Sequence, residues 1–181
     1  QKVQEIATSF LPIGAEGFSP HYNFYGYIIE RSGDQNNGYT QIFRNGALEA
    51  TKAEIVREWN GSPAIAGFSF EKNLLNRLPS YINGLRALEV PPPLIIMITL
   101  EGVKNAEYKV LYDHSDIDRH PLPEDILFLP ECVIEDYGES LDYHRAVRVA
   151  FDALWNAAGF PKSKFFNNDG LWVGKNERSG F

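Results

Sequence analysis

Asp113, His114, Asp116, Asp118 and His120 lie within eight positions and form the densest group of metal-ligand side chains in this sequence. Carboxylate and imidazole suit zinc, manganese or magnesium, and acids on alternate residues converge where the backbone is extended. That chemistry would be a metal-dependent hydrolase or nuclease, with Glu131 as a further ligand. Glu131, Glu135 and Asp136 make a second acidic group of the kind that holds a divalent ion for phosphodiester cleavage. The spacing matches no HExxH helix and no calcium loop, and no Lys stands between Glu131 and Tyr143. Pro121 and Pro123 adjoin the first group, so a polar loop between two strands is the plainer reading. There is no GxSxG elbow, and Gly14-Ala15-Glu16-Gly17 lacks the Lys-Ser/Thr of a phosphate loop. No catalytic residue is assigned and no cofactor is implied; the reading leans away from an enzyme.

A third group mixes cations with rings: Lys162, Lys164, Lys175 and Arg178 beside Phe165, Phe166 and Trp172. Such a segment can grip a single nucleic-acid strand, although a solvated C-terminal tail accounts for it with fewer assumptions. The whole chain opposes the first reading. Its formal charge of -7 repels polyphosphate, so direct nucleic-acid contact is not expected of this segment.

With 181 residues, 44% of them hydrophobic, the chain has enough apolar surface to bury a core. A single domain over 1–181 is expected, with 1–20 and 162–181 peripheral. The chain begins with Gln1, as an excised or accessory domain of something longer would. Cys132 is the one cysteine, which excludes an intrachain disulfide and fits a reducing cytoplasm; its apolar surroundings suggest a small core residue. The longest apolar run, Leu94 to Leu100, is too short to cross a bilayer.

The elements that must position these groups follow from periodicity and turn chemistry. Tyr22 to Glu30 reads as a strand, 32–38 as a polar loop, and Tyr39 to Arg44 as a strand. Asn45-Gly46 predicts a type I′ turn returning through Ala47 to about Ala53. Ala53 to Trp59 continues that strand or starts a short helix. A helix capped by Ser69 runs over about 69–89, kinked or divided at Pro79, until Pro91-Pro92-Pro93 stops it. Leu94 to Leu100 is apolar at every position but Thr99 and predicts a central strand covered on both faces. Glu107 to Tyr112, Ile126 to Leu129 and Cys132 to Ile134 follow as strands, with a bulge or edge at Pro130. The last helix spans about 140–158. Val147, Ala150, Phe151, Leu154, Trp155 and Ala158 face the core, and Gly159 is placed for a left-handed cap before Pro161. The sum is an α+β fold, a mainly antiparallel sheet with two principal helices packed on it.

Three segments carry a likeness to a known group: Tyr39 to Ala50, Asp125 to Glu131, and Phe151 to Pro161. Over roughly Pro20 to Asn168 the chain resembles the C-terminal region of bacterial Schlafen/Alba-type DNA-binding (ATP-binding) proteins. The resemblance rests on fold-bearing segments, so it transfers no functional residue. It implies an accessory region attached to a nucleic-acid-associated module. The acidity and the missing catalytic motifs add the expectation that this region is non-catalytic and contacts its own N-terminal module or another protein chain, a homo-oligomer included.

Overall fold

The computed structural model describes residues 2–14, 18–31, 38–110 and 120–174, with the side chain of Arg31 left aside. It has the expected α+β architecture, with antiparallel sheets and two long helices. The chain divides into two compact units where one domain was expected: Gln1–Glu54 with Asn73–Pro92, and Ile55–Lys72 with Pro93–Phe181.

In the first unit a four-residue helix, α1 (Lys2–Glu5), and a 3-10 turn at Ala7–Phe10 precede an antiparallel meander of β1 (Phe18–Tyr22), β2 (Gly26–Arg31), β3 (Tyr39–Phe43) and β4 (Leu48–Ala50). The strand expected over Tyr22 to Glu30 is interrupted by a turn. The Asn23 carboxamide accepts from the amides of Tyr25 and Gly26 at 3.0 and 2.9 Å, reversing the chain between β1 and β2. The β3–β4 hairpin forms where Asn45-Gly46 placed it, but through a different turn. Gly46 alone of the loop has positive φ, at 88°, and the amide of Phe43 donates to the Ala47 carbonyl. This is a three-residue loop closed by a left-handed glycine, which relieves Asn45 of the positive φ that a type I′ turn demands.

Ala7 and Phe10 are buried with Tyr27, Ile29, Ile42 and Tyr81, so the N-terminal segment, expected to be peripheral, lines the core of this unit. Tyr81 comes from α2 (Gly67–Ala87), a helix that runs unbroken through Pro79. Its hydroxyl donates to the Leu11 carbonyl at 2.8 Å and therefore accepts from Thr40 Oγ1 at 3.2 Å. Because α2 begins at Gly67, Ser69 lies inside it and is not its cap.

The second unit takes α2's first residues, Gly67 to Lys72. β5 (Val56–Trp59) and β6 (Ser62–Ala66) form a hairpin in which Asn60 and Gly61 both have positive φ, 52° and 79°. Here, not at Asn45-Gly46, is the two-residue turn of mirror-image geometry. β6 then pairs in parallel with β9 (Glu107–Lys109), Ile65 opposite Tyr108.

The run from Leu94 to Leu100 is not a central strand. It divides into β7 (Leu94–Ile96) and β8 (Thr99–Glu101), which pair antiparallel with β11 (Cys132–Ile134) and β10 (Ile126–Phe128). Thr99 faces Phe128 and Ile96 faces Cys132, so four steps on one strand match three on the other. The extra residue falls around Pro130, a β-bulge that lets a residue without an amide N–H sit in the ribbon. Burial alternates along the first strand: Leu94 and Leu100 point inward, whereas Ile95 and Met97 are exposed.

The last helix, α3 (Ser140–Ala157), opens with the Asp142 carboxylate accepting from the Glu139 amide at 2.9 Å. It closes as its sequence foretells. Gly159 has φ 86°, its amide donates to Asn156, and the Phe160 amide reaches back to Trp155 at 2.9 Å, while the Phe160 and Trp155 rings meet edge to face at 5.3 Å.

Gly84 of α2 tests how closely the first unit is packed. A Cβ there would come 2.6 Å from Phe10 Cε1, and Phe10 is fully buried. Alanine favours a helix over glycine by about 1 kcal/mol, but overpacking a core costs about 1–3 kcal/mol. Gly84→Ala therefore lowers stability by about 1 kcal/mol or more in urea unfolding, whereas a gain would mean that Phe10 has room to move.

Candidate functional site

Glu71 lies on the apolar stripe of α2 that continues through Leu75, Leu78 and Ile82, and its side chain is fully buried. Among the described residues no cation pairs with it. Four donors converge on it instead. Trp155 Nε1 donates to Oε1 at 2.6 Å, Tyr108 OH to Oε1 at 3.1 Å, Trp172 Nε1 to Oε2 at 2.8 Å, and Ser163 Oγ to Oε2 at 3.3 Å. The surroundings are aromatic: Trp172 stacks on Phe68 at 5.4 Å, and Phe165 meets Phe68 and Trp155 edge to face. Loss of hydration pushes the Glu71 carboxyl from 4.5 to about 7, and the hydrogen bonds from Trp155, Trp172, Tyr108 and Ser163 hold it from rising further.

Such a shift often marks a general acid or base, but a substrate must reach the group. Glu71 has no exposed surface, and every buried side-chain polar atom among the described residues has a partner. The arrangement can hold or release a proton. It cannot touch a ligand without opening. An acid four positions before Leu75 on the apolar stripe is the sequence signal for it, and a lone carboxylate has no clustered ligand types around it in the sequence.

The Lys/aromatic segment has a different place from the one expected. Phe165 is only 4% exposed, Trp172 commits its indole N–H to Glu71, and Phe166 lies beneath the Arg148 guanidinium at 5.5 Å. The described part of 162–174 is thus folded into the second unit rather than trailing as a tail, and the rings are turned to the interior because indole donors are needed there. Lys162 and Lys164 remain on the surface; Lys175 and Arg178 lie outside the described residues.

Asp113, His114, Asp116 and Asp118 also lie outside the described residues, and His120 is exposed. Among the described residues no three His, Cys, Asp or Glu side chains gather as a metal site. Glu131, Glu135 and Asp136 are exposed, and Cys132 is buried, its thiol pushed up by loss of hydration. His144 accepts the Trp172 amide on Nδ1 at 3.1 Å. The ring is therefore neutral with its proton on Nε2, and burial lowers its pKa.

Two surfaces remain. In the first unit Phe24, Tyr25, Phe43, Arg44 and Asn45 line a shallow depression of about 460 Å³, with Arg44 Nε already donating to the Phe24 carbonyl. In the second unit the outer face of the β7–β8/β10–β11 ribbon exposes Ile95, Met97, Ile126, Phe128 and Val133, Phe128 by 79% and Met97 by 72%. Val133 stands directly opposite Ile95, and Phe128 opposite Thr99. Among the described residues no helix is long and apolar enough to cross a membrane.

Compared with known proteins, the chain matches no family model, no curated protein and no solved structure.

The two perturbed titrations act in opposite directions on stability. For Glu71 the folded state keeps a proton that the unfolded chain loses above 4.5, so stability falls as pH rises from 4.5 to about 7 and is flat beyond. The loss is on the order of 3 kcal/mol. Urea midpoints measured across this range decline in the native chain, and Glu71→Gln removes the decline; an equal slope in both would refute the assignment. For His144 the unfolded chain gains a proton first, so its contribution is complete above 6.5 and is lost as pH falls below it. An NMR titration of the ring gives a midpoint under 6.5 with the neutral proton on Nε2.

Proposed function

We propose that this chain is a non-catalytic contact module, the accessory region that its likeness to Schlafen/Alba-type proteins implies, working in a reducing cytoplasm against its own N-terminal module or another protein chain. The observation that carries the reading is the outer face of the ribbon. Five large apolar side chains stand exposed on a two-stranded surface, and burying them elsewhere is favourable by about 25 cal/mol per Å² of apolar area. A scattered exposed Leu or Ile needs no explanation, whereas contiguous apolar area on a sheet face points to a partner.

Two further features support it. The most perturbed carboxyl is sealed inside aromatic rings, and among the described residues no three acids, His or Cys gather as a metal site. The acidity of the chain also favours protein contact over nucleic-acid contact.

Purified protein supplied with magnesium or manganese is expected to hydrolyse neither nucleic acid nor nucleotide, in nuclease and phosphate-release assays. Hydrolysis that disappears in Asp116→Ala with Asp118→Ala would replace the contact reading with a metal-dependent one. The exposed positions carry little of the fold, so Phe128→Ser shifts stability by no more than about 0.5 kcal/mol.

A further inference from the structure

Every charged residue on the ribbon strands, and on the two residues either side of 126–134, has the same sign; the exposed Lys104 follows beyond β8. Across 94–101 and 124–136 stand Glu101, Glu124, Asp125, Glu131, Glu135 and Asp136, with no Lys, Arg or His. All six are exposed, and none pairs with a cation among the described residues. Glu101 faces Ile126 across the ladder, and Glu131 and Glu135 flank Val133 at alternate positions. The apolar strip of Ile95, Met97, Ile126, Phe128 and Val133 is therefore rimmed mainly by acids, six against the one cation Lys104.

We infer that this face docks a cationic amphipathic segment of a protein partner, one presenting an apolar stripe edged by Lys and Arg. The inference rests on the contact reading above and specifies the partner's chemistry. A second copy of the chain is disfavoured by the same rim. An isologous contact would set acid against acid, within a Debye length of about 8 Å at physiological salt. Phosphate-bearing surfaces, whether nucleic acid or anionic lipid, meet the same repulsion. A basic amphipathic segment satisfies both features at once: its apolar stripe covers the strip, and its cations steer the encounter and fix orientation.

The probe is a helical Leu/Lys peptide of about 18 residues, five turns long, with a Leu/Glu peptide of the same pattern as its counterpart. Binding is read by fluorescence anisotropy at several salt concentrations. The native chain binds the Leu/Lys peptide saturably and ignores the Leu/Glu peptide. Met97→Ser with Phe128→Ser weakens binding at least about tenfold. Glu101→Gln, Glu131→Gln and Glu135→Gln together weaken it and flatten its salt dependence. Glu54→Gln, Glu58→Gln and Asp169→Asn together, which remove three exposed acids elsewhere, leave it unchanged.

Failure to bind, equal affinity for the Leu/Glu peptide, or equal losses in the two acid-neutralised triples would each overturn the inference. So would direct binding of a labelled single-stranded oligonucleotide, or of phosphatidylserine vesicles, to the native chain that Met97→Ser with Phe128→Ser abolishes. A dimer in sedimentation that Phe128→Ser dissociates would assign the face to a second copy, overturning the cationic partner while leaving the contact reading standing. Metal-dependent hydrolysis is the separate result that defeats the contact reading.

Discussion

A buried carboxylate held by uncharged donors organises the second unit. Glu71 gathers donors 37, 84, 92 and 101 positions further along the chain, from Tyr108, Trp155, Ser163 and Trp172. An ionised carboxylate taken out of water is costly unless its lone pairs are satisfied, and here two indole N–H groups and two hydroxyls do so. The indole is a donor only, so each tryptophan has one orientation that meets this need. That requirement turns Trp172 inward and draws the segment around Ser163 to Phe165 into the core. Its partners in turn fix others: the Ser163 amide donates to Asp152 of α3, and the Trp172 amide donates to His144 of the same helix.

The ribbon shows how apolar content and burial separate. Leu94 to Leu100 has the composition of a strand covered on both faces, but a strand buries only what the surrounding layers can cover. With β10 and β11 as its partners and the bulge around Pro130 keeping both ladders in phase, its inner residues meet the core and its outer residues do not. A bulge changes which positions share a face, which is why Phe128 and Val133, of opposite parity, lie on the same side. Interior and contact surface are thus two faces of one element.

The parts of the fold legible in the sequence are those decided within a few residues. The Schellman ending at Gly159 and Phe160, the β3–β4 hairpin, the inward face of α3 and the bulge at Pro130 all depend on local stereochemistry and short spacing. The misread parts depend on distant neighbours. Phe10 joins a core against β2 and β3, and Phe165 and Trp172 point inward from a segment whose composition resembles a solvated tail.

The sequence by itself determined that this chain is an acidic α+β protein with two long helices, without a disulfide, and with a cluster of ligand types at Asp113 to His120 that matches no established spacing. Tertiary structure alone decided that Glu71 is the convergence point of the second unit, that two compact units share α2, and that one face of the ribbon is left uncovered. The physical reason is the range of the interactions involved. Capping, turns and helical periodicity are local, whereas the cost of a buried charge and the cover over an apolar face depend on what the rest of the chain brings to them.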